Sequence, residues 1–216
     1  MSKKIALICT FCFSLSLVSL AQTFRKHVEK KDHRNLLTYA ATFTKDTVYL
    51  NLKIQDELAL TKILRWGFHI YFDVKGEKRR KRYFSYPLKR DIKNRWKNTE
   101  IQIPQLLKKL PNSAEITVWK NKEIIPLKYT NSGVKVNISY MPNDMHYDVQ
   151  LPTQKLFDQK IETLEKLTIV FESNDFDMTK QVMEYGMPEG FAHFESLDPT
   201  IVIEKLSYRL KVDFNE

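Results

Sequence analysis

The chain predicts a mainly β protein, an antiparallel β-sandwich with one or two short helices. Three observations predict it. Apolar and polar residues alternate through six segments, the period of a half-buried strand. Turn signals, such as Gly76 and Asn121-Lys122, join neighbouring strands as hairpins. Only two segments carry a helical pattern, which leaves sheet-on-sheet packing as the layer solution.

The elements follow in order. Residues 36–43 (LLTYAATF) are a short candidate strand. In residues 46–54 (DTVYLNLKI), Val48, Leu50, Leu52 and Ile54 oppose Tyr49, Asn51 and Lys53. Residues 56–67 (DELALTKILRWG) read as a helix with Asp56 as N-cap, Gly67 as its stop, and Leu58, Ile63 and Leu64 on one side. Phe68, Ile70 and Phe72 then alternate with His69, Tyr71 and Asp73. A second short helix fits from about Pro104 to Leu110, because proline is accepted in a first turn. Residues 114–120 and 123–130 flank the turn expected at Asn121-Lys122, and Pro126 marks the second of them as an edge strand. Residues 133–140, 145–151, 167–171 and 205–214 complete the strands. Residues 174–199 fit no strand pattern and are expected to be a long irregular excursion packed by its Phe, Met and Tyr side chains.

The first residues, MSKKIALICTFCFSLSLVSLAQ, have the layout of a secretory signal peptide: Lys3 and Lys4, an apolar run, then small residues before Gln22. The apolar run is short and interrupted by Thr10, Ser14, Ser16 and Ser19, which disfavours a membrane span. Cleavage after Ala21 leaves 195 residues, the 216 less the first 21, with no transmembrane segment. The expected organisation is a signal peptide over 1–21, an N-terminal segment over 22–36 and a single sandwich domain over 37–216, in the periplasm or outside the cell. Cys9 and Cys12 leave with the leader, so the mature chain has no disulfide, thiol nucleophile or cysteine-bound metal. The formal charge of +9 falls to +7 once Lys3 and Lys4 are gone, which favours attraction to polyanions. For an exported protein those are glycans and polyanionic envelope components, and no nucleic acid is the expected physiological partner. No repeat or low-complexity tract occurs, and the sequence sets no oligomeric state.

Three stretches in order, residues 47–88 (TVYLNLKIQDELALTKILRWGFHIYFDVKGEKRRKRYFSYPL), 146–157 (HYDVQLPTQKLF) and 167–173 (LTIVFES), together resemble the family 9 carbohydrate-binding modules. Similar proteins also occur as stand-alone secreted proteins of Bacteroidetes-type bacteria, which the leader ending SLAQ suits. The resemblance covers roughly half the mature chain and implies a β-sandwich. The family's ligands include sugars, often gripped by tryptophans, and calcium. No tryptophan pair or calcium ligand set transfers onto numbered positions here, so the resemblance bears on fold more than on activity.

Sugar binding uses aromatic faces with polar groups beside them. His69 and Tyr71 are candidates on one strand, and Trp96, surrounded by charge in KRDIKNRWKN, is a ligand platform or a lid over the sandwich end. Trp66 and Trp119 stand in strand-like contexts and are expected in the core. The basic run Lys78, Arg79, Arg80, Lys81 and Arg82 reads first as the solvated tip of a hairpin turned by Gly76 and second as an anion-binding loop. His27, Asp32 and His33 lack the regular ligand spacing of a catalytic zinc and are assigned to a solvated N-terminal segment. Glu172, Asn174, Asp175 and Asp177 offer oxygen ligands without the glycine and distal glutamate of an EF-hand, and read as a loop. No catalytic motif, metal site or cofactor site is assigned. The expected function is an exported, non-catalytic binding protein for a glycan or envelope component. The alternative is an envelope assembly protein docking a protein partner. A hydrolase with dispersed carboxylates such as Asp73, Asp148 and Glu172 ranks last.

Overall fold

A computed structural model describes residues 24–33, 36–88, 103–128, 131–141, 144–174, 176–177, 202–203 and 205–215. The expected leader, Trp96 and most of the expected excursion over 174–199 lie outside the described residues. The elements are β1 (Arg25–Asp32), β2 (Leu37–Thr44), β3 (Thr47–Ile54), α1 (Glu57–Trp66), β4 (Phe68–Val74), β5 (Arg82–Ser85), α2 (Ile103–Lys108), β6 (Ser113–Val118), β7 (Asn121–Pro126), β8 (Lys135–Met141), β9 (Asp144–Pro152), β10 (Lys166–Ser173), β11 (Phe176–Asp177), β12 (Val202–Ile203) and β13 (Ser207–Asp213).

Two antiparallel sheets stack as a sandwich. The five-stranded sheet runs β1-β2-β3-β9-β8, and the six-stranded sheet runs β13-β10-β4-β5-β6-β7. Alternation explains the packing. The inward rows of β3 (Val48, Leu50, Leu52, Ile54) and β9 (Met145, Tyr147, Val149, Leu151) are buried, as are Phe68, Ile70 and Phe72 of β4 and Leu167, Ile169 and Phe171 of β10. Aromatic rings cross the interface edge to face: Phe68 meets Tyr147 at 5.6 Å and Tyr39 meets Phe171 at 5.5 Å between centroids.

Helix α1 carries the chain from β3 in one sheet to β4 in the other. The Asp56 side chain accepts a hydrogen bond from the Ala59 amide (3.1 Å), capping its first turn. Gly67, at φ +87°, ends it in the left-handed region that a glycine adopts without strain. Ile63 and Leu64 are buried as the pattern implies, together with Ala59, Leu60 and Trp66.

Three expectations are corrected. Residues 25–32, placed by sequence in a solvated segment outside the domain, form edge strand β1 in register with β2. Their side chains stay mostly exposed, which is why alternation did not reveal the strand. The β6–β7 turn is Trp119-Lys120, since Val118 pairs with Asn121, two residues earlier than expected. Trp119 is therefore not in the core: it sits at the hairpin tip at φ +59° and is 46% exposed. β7 lies at the sheet edge, where Pro126 costs no ladder bond.

Candidate functional site

The face of the six-stranded sheet turned away from the core holds the candidate site. Register places Arg209, Val170, Tyr71, Tyr83, Thr117 and Lys122 in one row across the strands. The next row holds Glu172, His69, Ser85 and Glu115. The predicted pair His69 and Tyr71 thus stands together, half-buried, and joins Tyr83, which sequence reasoning did not single out as a ligand residue. Ring centroids are 5.5 Å apart for Tyr71 and Tyr83, 5.7 Å for His69 and Tyr83, and 5.8 Å for His69 and Tyr71.

Polar partners lock this cluster. The His69 Nδ1 meets the Ser85 hydroxyl, and its Nε2 lies 2.9 Å from the Asn174 Oδ1. Asn174 Nδ2 donates to the Trp66 carbonyl (2.6 Å), which turns the amide oxygen towards the imidazole. Nε2–H therefore donates to Asn174, and Nδ1 accepts from Ser85. Ser85 is 1% exposed, so its hydroxyl braces the ring and is not within reach of a substrate. The Tyr83 hydroxyl donates to Glu115 (2.9 Å), as does the Thr117 hydroxyl (3.2 Å), and Lys122 pairs with the same carboxylate at 2.6 Å. Burial pushes the Glu115 carboxyl up, but the hydrogen bonds from Lys122 and Tyr83 outweigh it and hold the group below the usual glutamate range. That is the wrong direction for the general acid of a glycosidase. Burial, and then the Glu172 carboxylate, raise the Tyr71 phenol against the pull of Arg80, so it stays protonated and able to donate.

The basic run divides into different roles. Arg82 was expected at the hairpin tip, solvated in the first reading and anion-binding in the second. It instead begins β5, its side chain is 4% exposed, and it is closed off by charge partners. Its guanidinium bonds both Glu77 oxygens (2.9 and 3.0 Å), Asp158 (2.9 Å) and the Leu156 carbonyl (2.9 Å). An inward strand position can hold a cation only when it is paired in this way. Arg80 bonds Glu172 at 2.8 Å and lies over the Tyr71 ring at 5.2 Å, a cation–π geometry. The Arg80 amide donates to Asp73 Oδ1 (2.6 Å), which closes the turn with Gly76 at φ +85°. Lys78, Arg79 and Lys81 have no ion pair among the described residues.

The turn walls a groove of about 660 Å³ beside Tyr71. Thr168 and Val170 form its floor, and Arg79, Lys166, Arg209 and Lys211 stand around it. Local alternation in β13 shows that Arg209 and Lys211 face outwards. Only the pairing of β13 with β10 brings them to the hairpin. Glu172, read from sequence with Asn174, Asp175 and Asp177 as part of a loop, is instead a buried residue of β10 committed to Arg80 and Lys205, and Asp175 lies outside the described residues. Among the described residues no group of three acidic, histidine or cysteine side chains is placed to hold a metal.

Fold and face define an antiparallel β-sandwich with a tyrosine, carboxylate and cation surface on its six-stranded sheet. No family model, no curated protein and no solved structure matches the chain.

Proposed function

We propose that the protein is an exported, non-catalytic binding protein that holds a glycan on the outer face of the six-stranded sheet. The observation that carries this reading is the His69–Tyr71–Tyr83 cluster, which sets aromatic surface beside Glu115, Glu172 and Arg80. Sugars present apolar ring faces as well as hydroxyls, so a site for them combines aromatic surface with fixed polar groups. The leader-like residues 1–21 support export, and the family 9 resemblance of residues 47–88, 146–157 and 167–173 supports the sandwich that carries the aromatic face.

The test is binding of the mature chain to a glycan array, followed by Tyr71→Ala and Tyr83→Ala. Each substitution is expected to weaken binding about tenfold, the equivalent of ~1.4 kcal/mol, with the fold retained by circular dichroism. Unchanged affinity in both variants would remove the cluster as the site. Trp96→Ala is the third arm. Lost binding with an intact fold makes that residue part of the platform, and unchanged binding removes it. Crosslinking in the producing cell to one defined envelope protein, with no glycan bound on the array, would favour the assembly reading instead.

A further inference from the structure

We infer that the ligand is an acidic polysaccharide, with its carboxylate or sulfate groups taken by the groove between the β4–β5 turn and β13. This rests on the glycan-binding reading above and deepens it by naming the chemical class. The groove is lined by six cations (Lys75, Arg79, Arg80, Lys166, Arg209 and Lys211) against two acids, Asp73 and Glu77. Both acids are occupied: Asp73 closes the turn through the Arg80 amide, and Glu77 binds Arg82. Lys75 is paired with Glu165, Lys166 with Asp213, and Arg80 with Glu172. Arg79, Arg209 and Lys211 are exposed and have no ion pair among the described residues. Like charges gathered without counter-charges raise the local potential, and a concave wall focuses it.

Position makes the groove part of the same site. Arg209 pairs with Val170, and Val170 pairs with Tyr71, so an unpaired cation stands two strands from the ring cluster, about 10 Å away. Arg80 bridges the two by resting on Tyr71. A sugar stacked on the tyrosines would carry its neighbour's acid group into the groove. The surface is mixed, with Glu172 and Glu115 interleaved among the rings. Rings flanked by fixed polar side chains suit the apolar faces and hydroxyls of sugars, which favours a polysaccharide over nucleic acid.

The experiment compares retention of the mature chain on polygalacturonate, heparin, neutral dextran and a short DNA duplex, over a range of salt, for wild type and Arg209→Gln/Lys211→Gln. Both positions are exposed, so the fold is expected to hold, and circular dichroism checks it. The inference expects salt-sensitive binding to polygalacturonate or heparin, and the preferred polymer tells carboxylate from sulfate recognition. The double variant should bind that polymer at least tenfold more weakly. Equal retention of neutral and acidic polymers, unchanged in the variant, overturns the acidic class while leaving glycan binding standing. Retention by the duplex alone overturns it in favour of nucleic acid. Binding to none of the four, on the array included, overturns both readings.

Discussion

Arg82 and Arg79 are three residues apart in one basic run, yet their surroundings give them opposite weights. The Arg82 guanidinium is buried and makes four hydrogen bonds, while its partners Glu77 and Asp158 are 28% and 74% exposed. Without it both carboxylates return to water, but the Leu156 carbonyl loses its donor. Arg82→Met is therefore expected to cost about 2 kcal/mol of unfolding free energy. Arg79→Met, on an exposed turn, should stay within about 0.5 kcal/mol. Urea denaturation of the two variants measures the contrast, and equal midpoints would refute it. The run's composition is visible in the sequence, but this division is not. The strand phase of β5 turns Arg82 inwards with Phe84 and leaves Tyr83 facing out, and that phase is set by pairing with β4 and β6.

At the level of elements, two glycines in the left-handed region separate backbone strain from steric conflict. Gly76, at φ +85°, turns the β4–β5 connection in open space, where an added methyl group would touch nothing. Gly76→Ala should cost about 1 kcal/mol, the backbone penalty alone. Gly133, at φ +73°, precedes β8, and a Cβ there would lie 2.8 Å from the Pro152 side chain at the end of β9. Gly133→Ala adds overpacking to the same penalty and should cost about 2 kcal/mol or more. Thermal unfolding of both variants reads the difference, and a costlier Gly76→Ala would contradict the assignment. The strands themselves were legible because period-two patterns in β3, β4 and β9 coincide with their buried rows. β1 was not, because an edge strand with one polar face and few apolar side chains has no alternation to detect. The β6–β7 turn was misplaced because Asn121-Lys122 carries the stronger local turn signal, whereas the register with β5 and β7 puts Trp119 and Lys120 at the tip.

Across the whole molecule, the two sheets are held by buried aromatics with polar ends. The Tyr147 hydroxyl of β9 donates to the Tyr86 carbonyl beyond β5 at 2.5 Å, and the Tyr39 hydroxyl of β2 reaches the Arg209 carbonyl of β13 at 3.3 Å. Burial, then the carboxylates of Asp32 and Asp56, push the Tyr208 phenol from its ordinary 10.0 up to about 12. The folded value lies above the unfolded one. This group's stabilising contribution is therefore whole below pH 10.0, declines as pH rises from there, and is lost on passing about 12. Melting temperature is expected to fall over that alkaline window, and to fall less in Tyr208→Phe. An identical slope in the variant would show that Tyr208 does not contribute. By itself the sequence determined the β class, the inward rows, the cap and stop of α1, and the outward placing of His69 and Tyr71, because each depends on contacts within a few residues. Only the tertiary structure decided which strands lie side by side. It brought Tyr83 to Tyr71, buried Arg82, exposed Trp119, and carried Arg209 and Lys211 of β13 to the hairpin through β10. Those outcomes follow from long-range pairing, such as Tyr71 with Val170, 99 residues on, and Val170 with Arg209, a further 39, and no local pattern encodes which partner a strand will take.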